Sequence, residues 1–549
     1  MHFLAQSVPV PYPSWLNTGD NTWQIAAATF VALQSIPGLM VLYAAVVPKK
    51  WAVNVMAMMF AGFSLVLIAW VLWSYKMGFG ATSVGNGVKD GCQRWLGSGV
   101  DCASNLKATT GGFFEHFFDN FVGQPGTVTN SVQEQTQAVS AANDIIPFHF
   151  PADSLLYFQF VFAAITPLLF IGSVLGRIKF SAWCILCPLW STFVYGVDAF
   201  MLWGGGYLAQ EGALDFSGGF VIHMSAGVSG FVAAWVLGPR LARDREHFVP
   251  NNLLIAGVGA GILWLGWNGF NGGDPYYAGV DMSNAVVNTN IATAAGVLVW
   301  MAMDAWLSKQ KKPTFLGGVN GMICGLVGIT PCAGWVNGWG AIAVGAIDTI
   351  IVWFAWNYLS KVKPFSKVDD ALGVIYTHGI AGLFGGLMLG VFGDPNMLEY
   401  GCGNLDASGQ VVNTSATAFA TSSSSCAPFS VSGFMYAPHH LHQLWEQFRA
   451  AVFVIIWSAL ITFILMKLIG LVLGGARYKD EVLEIGDVAI HDEEAYPADQ
   501  LATLTSAGGG GGGAGGGGGG GAFQLAGFEV GSLSPPRPPD ISPPPGALS

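Results

Sequence analysis

Residues 214–230 read LDFSGGFVIHMSAGVSG and place one histidine, His223, inside a run of otherwise apolar and small residues. A second stretch at 377–386, THGIAGLFGG, places His378 in the same way, and both contain the pattern His-x-x-Ala-Gly-x-x-Gly. A histidine at membrane depth is costly unless it faces a partner or a lined cavity, so we expect both to be functional. Two like helices with one histidine each predict an internal repeat with a site at its interface.

The composition indicates that these stretches belong to a polytopic membrane protein. The 549 residues are 52% hydrophobic and 10% charged, with a net charge of -11, whereas soluble domains carry about 25% charged residues. The lipid bilayer is therefore the expected surrounding, and no basic run indicates a nucleic-acid partner. The N-terminus lacks the charged region of a cleavable signal, so we expect the first span to act as its own signal anchor.

About eleven stretches are long and apolar enough to cross a bilayer. The predicted fold is an all-α membrane protein built from five helices, five more in the opposite orientation, and one extra helix. Opposite orientation would bring His223 and His378 together near the midplane. The spans lie near 23–47, 51–75, 154–175, 181–203, 218–238, 252–271, 284–307, 315–333, 339–360, 371–394 and 448–474.

Basic residues follow the odd-numbered spans, while the short loops after spans four, six and eight carry no Lys or Arg. By the positive-inside rule, this alternation places the N-terminus outside and the C-terminus in the cytoplasm. The residues concerned are Lys49, Lys50, Arg177, Lys179, Arg240, Arg243, Arg245, Lys309, Lys311, Lys312, Lys361, Lys363 and Lys367.

These patterns divide the chain into four parts. An extracytoplasmic N-terminus (1–22) precedes a transmembrane domain (23–475) with outer loops at 76–153 and 395–446. A charged cytoplasmic segment (476–502) is predicted to be regulatory, and the Gly/Pro-rich tail (503–549) has a composition typical of disorder. The outer loops contain four candidate disulfide cysteines, which could pair within a loop or between the two loops. They are Cys92, Cys102, Cys402 and Cys426.

Several aromatic and acidic residues could accompany the two histidines. Phe158 and Phe162 lie one helical turn apart, which by itself is more often packing. Trp203 ends the fourth span and is either an interfacial tryptophan or a π-face that attracts a small cation. Asp215 precedes the fifth span, where it could cap the helix or favour a cation. In the sixth span Phe270 is followed four residues later by Asp274.

Taken together, these motifs resemble the ammonium transporter family (Amt/Mep/Rh), and within it the Amt/Mep branch and its plant members. The similarity covers about residues 20–500. It rests on blocks that occur in the order found in the family, namely FAAIT, WGGG, DFSGGFVIHMSAG, GWNGFN, VNTNIATAAG and THGIAG.

The resemblance implies a role for each candidate residue. Trp203 and Phe162 would frame an outer recruitment site for ammonium, or for its analogue methylammonium, with Asp215 as electrostatic support. Phe162 and Phe270, with Phe158 beside them, would form a gate. His223 and His378 would line a narrow apolar pore. The resemblance further implies a plasma-membrane homotrimer with one pore per subunit, no cofactor and no enzymatic activity.

Three positions depart from the family pattern. Asp274 stands where much of the family has serine in the recruitment site, so it would strengthen cation attraction there or relocate the site. Gly373 stands where the family commonly has aspartate five residues before the second histidine, although Asp369 and Asp370 are close by. Ala489, before His491, stands where plant members often have a phosphorylatable threonine.

Three alternatives to ammonium transport remain open. The chain could be a neutral-gas channel of the Rh kind, although Trp203 in an aromatic cation site argues against it. It could be an ammonium-sensing receptor with little transport, or a membrane enzyme with the histidines as metal ligands. Under the transport interpretation, an outer site binds the ammonium ion and removes its proton. Ammonia then crosses the apolar pore, with or without the proton.

Overall fold

A computed structural model describes residues 13–79, 121–123, 125–129, 135–139, 147–397, 404–405, 411–412, 431–437 and 441–496. The predicted tail at 503–549 and the four candidate disulfide cysteines lie outside these residues.

Ten helices in the described part of the chain are long and apolar enough to cross a membrane. An eleventh apolar helix, Phe315–Ile329, is shorter. In chain order they match the predicted spans, so the prediction of an all-α membrane protein with about eleven helices is confirmed. They are α1 (Thr18–Val46), α2 (Lys49–Phe79), α3 (Ala152–Val174), α4 (Phe180–Glu211, interrupted at 203–206), α5 (Gly219–Leu237), α6 (Leu253–Gly272), α7 (Val280–Leu307), α8 (Phe315–Ile329), α9 (Gly338–Lys361), α10 (Ile375–Phe392) and α11 (His442–Val472).

The first helix begins five residues before the span that its hydropathy predicted. The side chain of Asn17 accepts hydrogen bonds from the N–H groups of Gly19 and Asp20, at 2.8 and 3.2 Å. These bonds satisfy N–H groups that the first turn of a helix leaves free. Hydropathy does not detect this first turn, because its residues are polar although they are helical.

Two small antiparallel sheets lie outside the helices. Strands β1 (Gln137–Val139) and β2 (Pro147–Pro151) form the first, and β3 (Asn404–Leu405) and β4 (Val411–Val412) form the second. In β2 the rings of Phe148 and Phe150 are buried and stack at 5.2 Å. Phe148 also contacts Tyr276 at 4.6 Å, so this sheet packs on the connection that follows α6.

Loops on the opposite side are held together by buried arginines. Arg240 makes a bidentate ion pair with Asp369 through its Nε and Nη2 atoms, at 2.9 and 2.7 Å. Burial alone would raise the pKa of Asp369, but the arginine outweighs it and holds that pKa below its usual value. Arg177, fully buried, donates to the carbonyl oxygens of Ser173 at 2.8 Å and of Asp369 at 2.5 Å. These bonds join the connections after α3, α5 and α9.

The segment after α11 returns to this same side and contacts the ends of α2 and α4. The Lys179 N–H donates to the Ala476 carbonyl at 2.8 Å, and Tyr478 N–H donates to the Arg177 carbonyl at 2.9 Å. Farther on are two short helices, Asp480–Ile485 and Asp487–His491.

The second of these short helices is held by its first residue. The Asp487 carboxylate accepts hydrogen bonds from the N–H groups of Val53 and Asn54, at 2.8 and 2.9 Å. A carboxylate in this position satisfies free N–H groups at the start of α2 and complements the helix dipole. The Asn54 side chain also pairs with the His491 ring at 3.0 Å. Ala489, which lies between Asp487 and His491 in this short helix, is exposed.

Asp487→Ala should loosen this contact. It leaves two buried N–H donors without an acceptor, which costs about 1–3 kcal/mol. Amide hydrogen exchange of the detergent-purified protein should therefore be faster in 480–491 and at the start of α2. Glu493→Ala, at an exposed neighbouring acid, is the control and should leave exchange unchanged. Equal protection of 480–491 in Asp487→Ala and the native protein would show that this carboxylate does not hold the segment.

Candidate functional site

The two histidines of the repeated motif meet in the interior. Nδ1 of His378 lies 3.3 Å from Nδ1 of His223, and the rings are stacked with centroids 5.4 Å apart. Both side chains are buried. One Nδ1 must donate while the other accepts, so the two neutral rings are held in complementary tautomers.

Each histidine lies in a π-helical turn at the start of its helix, Gly219–Met224 in α5 and Ile375–Ile380 in α10. In the first, the His223 N–H reaches back five residues to the Gly218 carbonyl at 3.0 Å. Such turns are rare and often occur at functional sites, because they rotate a side chain relative to the rest of the helix. The apolar periodicity of the sequence carries no signal for them.

Asp215 holds the start of α5. Its carboxylate accepts hydrogen bonds from four successive N–H groups, those of Gly218, Gly219, Phe220 and Val221, at 2.6–3.1 Å. Both oxygens are thus occupied by the helix that carries His223. Burial nevertheless raises the pKa of Asp215 to about 6, and the four donors limit that rise.

Asp370 occupies the same place in the second half. It lies eight residues before His378, as Asp215 lies eight before His223, and it accepts from the Ile375 N–H at 2.8 Å. Burial raises its pKa above the usual value. The repeat therefore extends upstream of each histidine to an aspartate that binds the first N–H groups of the helix.

Gly373 is explained by the same repeat. It lies five residues before His378, as Gly218 lies five before His223, and both glycines have positive φ, 70° and 104°. A Cβ at residue 373 would lie 2.1 Å from the ring of Trp356. Aspartate therefore does not fit at this position in this chain, and Asp370 provides the carboxylate instead.

Glycines allow α5 and α10 to cross at backbone contact. A Cβ at Gly227 would lie 2.3 Å from the backbone nitrogen of Gly379, and one at Gly382 would lie 2.4 Å from the carbonyl oxygen of Gly219. As residue number rises along α5 it falls along α10, so the two helices are antiparallel here. Small residues are what permit such approach in membrane helices.

Aromatic rings continue from the histidines toward the Trp203 side. His223 stacks against Trp267 at 5.2 Å and Phe270 at 5.8 Å, and Phe270 contacts Phe162 at 4.3 Å. Phe158 lies beside Phe162 at 4.7 Å. All four rings are buried, and Phe162 and Phe270 close the space above His223.

Trp203 completes this column at the break in α4. Its ring meets Phe162 edge-on at 6.5 Å and stacks on Phe79 at 6.2 Å, and its Nε1 donates to the Asp215 carbonyl at 2.7 Å. The Trp203 ring is only partly buried. It can therefore meet a solute while Asp215 fixes its orientation.

Asp274 lies just after α6, next to the same rings. A Cβ on the preceding Gly273 would lie 2.2 Å from the Phe158 ring, and the hydroxyls of Ser217 and Tyr276 face the Asp274 carboxyl. Its Oδ2 atom is buried and has no hydrogen-bond partner among the described residues. Burial raises the pKa of Asp274 well above its usual range, the two hydroxyls counteract this rise, and the charge of Asp215 adds to it.

The structure thus brings together all eight residues predicted for recruitment, gate and pore, in one chain of contacts. Sequence reasoning missed Phe79, Trp267, Ser217 and Tyr276. Trp267 had a signal, because it lies three residues before Phe270 on the same helix face. Phe79 had none, since only the fold brings the end of α2 beside Trp203.

A buried, largely apolar column of rings with one imidazole pair is suited to conducting a small polar molecule or relaying a proton. The described residues contain no group of three or more His, Cys, Asp or Glu that could hold a metal ion. Two carboxylates of the site, Asp215 and Asp370, bind the first N–H groups of α5 and α10. The third, Asp274, lies beside the aromatic rings next to Trp203.

Comparison with known proteins gives a consistent result. A family model described as the Ammonium Transporter Family matches residues 22–496. Ammonium transporter 3 member 2 of Oryza sativa subsp. japonica is 42% identical over 505 residues, covering 90% of this chain and 95% of the relative. Ammonium transporter 2 of Arabidopsis thaliana is 40% identical over 485 residues, covering 88% and 89%. The crystal structure of Saccharomyces cerevisiae Mep2 superposes with a TM-score of 0.62 at 25% identity, covering 84% of this chain and 89% of that one.

Gly227→Ala tests the close crossing that sets the histidine pair. The added methyl would collide with the Gly379 backbone, and overpacking of this kind costs about 1–3 kcal/mol. We expect a lower midpoint of thermal unfolding for the detergent-purified protein. Gly261→Ala is the matched control, because a Cβ at this helical glycine would meet nothing within 4 Å, and its midpoint should be unchanged. Equal midpoints for both variants would contradict the crossing.

Proposed function

The chain belongs to the Ammonium Transporter Family, and from that premise we propose a mechanism by which it transports ammonium. The observation that carries the proposal is the unbroken column of rings. Trp203, Phe162, Phe270, His223 and His378 follow one another with successive centroid separations of 6.5, 4.3, 5.8 and 5.4 Å.

Recruitment takes place at the Trp203 end. The faces of Trp203 and Phe162 attract a small cation through their π electrons, and the carboxylates of Asp215 and Asp274 add negative potential. Asp215 acts at a distance, because its own oxygens are bound to the start of α5. An ion that donates hydrogen bonds can also use the hydroxyls beside Asp274, whereas a potassium ion has none to donate.

The gate admits the neutral molecule. Phe162 and Phe270 lie 4.3 Å apart, which leaves no space for a hydrated ion between them. Burying an unpaired charge beyond this point costs many kcal/mol. Ammonium therefore loses a proton before it passes, and ammonia crosses the apolar section.

The histidine pair lines that section. Its complementary tautomers present both a donor and an acceptor in a space that is otherwise apolar. Two coupled imidazoles also give a proton a path that the apolar walls do not. A transport current would show whether the proton follows the ammonia.

We propose a plasma-membrane location with the N-terminus outside and the C-terminus in the cytoplasm. The charged segment 476–496 contacts the start of α2 through Lys50 and the residue before α4, Lys179, on the side that carries the basic loops. The Trp203 mouth is then extracytoplasmic. We keep as proposals the domain divisions predicted above, with 476–502 regulatory and 503–549 dispensable, and a homotrimer with one pore per subunit.

The function is tested by expression in yeast deficient in ammonium uptake and in oocytes for current recording. His223→Ala and His378→Ala should each reduce ammonium uptake on the order of tenfold or more, and the double variant should lose little beyond the worse single one. Trp203→Leu should change apparent affinity and leave proton handling intact. Amounts of protein at the membrane are measured for every variant. Normal uptake and selectivity in both alanine variants would refute the twin-histidine pore.

Topology is tested with single introduced cysteines. Gln310→Cys, in the exposed loop between α7 and α8, should react with an impermeant thiol reagent only after cells are permeabilised. Ser14→Cys, exposed before α1, is the control and should react in intact cells. Labelling of Gln310→Cys in intact cells would show that the protein has the opposite orientation in the membrane.

A further inference from the structure

We propose that Asp274 is the charged ligand of the outer site and that external protons compete with ammonium for its Oδ2 oxygen. This inference rests on the proposed function, since it assigns a specificity residue and a regulation by external pH to the recruitment site. Three structural observations carry it.

The first observation is that the two carboxylates of the outer site are in different bonding states. Asp215 is fully used, because four N–H groups of α5 occupy its oxygens. Asp274 has a buried Oδ2 atom without a hydrogen-bond partner in the described chain. A buried carboxylate oxygen is stable only when it is hydrogen-bonded, paired with a cation or protonated. Of the two acids, Asp274 is therefore the one able to bind a donor.

The second observation is the position of Asp274 relative to the rings. Its neighbour Gly273 lies directly against the Phe158 ring, and Phe158 contacts Phe162 at 4.7 Å. Tyr276, whose hydroxyl faces the Asp274 carboxyl, contacts Phe158 at 6.0 Å. A cation between these rings and this carboxylate has π-faces on one side and oxygen acceptors on the other. That combination suits an ion with several N–H donors.

The third observation is that charge at this point is poorly stabilised without a cation. The nearby titratable groups are Asp215 at the start of α5, Tyr195 of α4 and Tyr276. Farther out, Asp20 accepts from Ala278 N–H and lies 3.7 Å from His149. No arginine or lysine in the described part of the chain forms an ion pair with Asp274 within 4.0 Å. An ammonium ion or a proton is then what neutralises it.

Competition follows from this arrangement. Burial and the charge of Asp215 raise the pKa of Asp274, so the empty site takes up a proton at a higher pH than an ordinary aspartate. A protonated carboxyl no longer attracts a cation. Apparent affinity for ammonium should therefore fall as external pH falls, with the maximal rate unchanged, because saturating ammonium displaces the proton.

The test measures ammonium currents or labelled methylammonium uptake as a function of concentration at external pH 7.5, 6.5, 5.5 and 4.5. In the native protein we expect KM to rise about tenfold across this range, at constant maximal rate. Asp274→Asn should raise KM about tenfold at pH 7.5 and abolish most of its dependence on pH. Asp274→Glu should retain the dependence. Glu211→Gln is the control, since it removes a partly buried acid paired with Arg449 at 3.4 Å.

The outcomes distinguish failure of this inference from failure of the proposed function. Transport by the native protein with a KM that does not change with pH would overturn this inference and leave the proposed function intact. An undiminished pH dependence in Asp274→Asn would assign the proton to another group, Asp215 first. Absence of saturable uptake at every pH would overturn the proposed function and the inference with it. The native series remains decisive even if the variants do not reach the membrane.

Discussion

Helices that begin inside a membrane protein need acceptors for their first N–H groups, because lipid offers none. In this chain two aspartates, Asp215 and Asp370, meet that need at inverted positions. Asp215 binds four N–H groups of α5 and Asp370 binds the start of α10, each eight residues before its histidine. The aspartates fix where the helices start, the π-helical turns direct the rings, and glycines bring the backbones into contact. The distance of 3.3 Å between the imidazole nitrogens follows from these constraints.

This construction separates two electrostatic environments along one column. At the Trp203 end, rings, hydroxyls and carboxylates lie together and favour a cation. Past Phe162 and Phe270 the surroundings are buried and apolar, apart from the histidine pair, and favour a neutral molecule. Under the proposed mechanism the Phe pair is the boundary, so recognition of the ion and passage of ammonia are assigned to different residues. Asp215 links the two environments, because it caps the pore helix and fixes the Trp203 indole.

Much of this could be predicted from the sequence, for identifiable reasons. Long apolar stretches predicted the eleven helices, and the repeated motif predicted that His223 and His378 meet. The π-helical turns could not be predicted, because they depend on hydrogen bonds that shift by one residue. From the sequence, Gly373 is a departure from the family pattern, which has aspartate there. The structure shows instead that Gly373 corresponds to Gly218, because both have positive φ, and that a side chain at residue 373 would collide with Trp356. The neighbours of Asp274 come from α3, from α4, from the residues just before α5 and from the segment after α6, so only the fold brings them together.

The most direct test of the account is transport by the purified protein in liposomes. An inward ammonium gradient is applied while labelled methylammonium uptake and internal pH are followed, with empty liposomes and the His223→Ala protein in parallel. The account predicts saturable uptake that ammonium inhibits competitively and that is on the order of tenfold or more slower in the His223→Ala protein. Uptake no faster than in empty liposomes, or equal with and without the His223 imidazole, would contradict it.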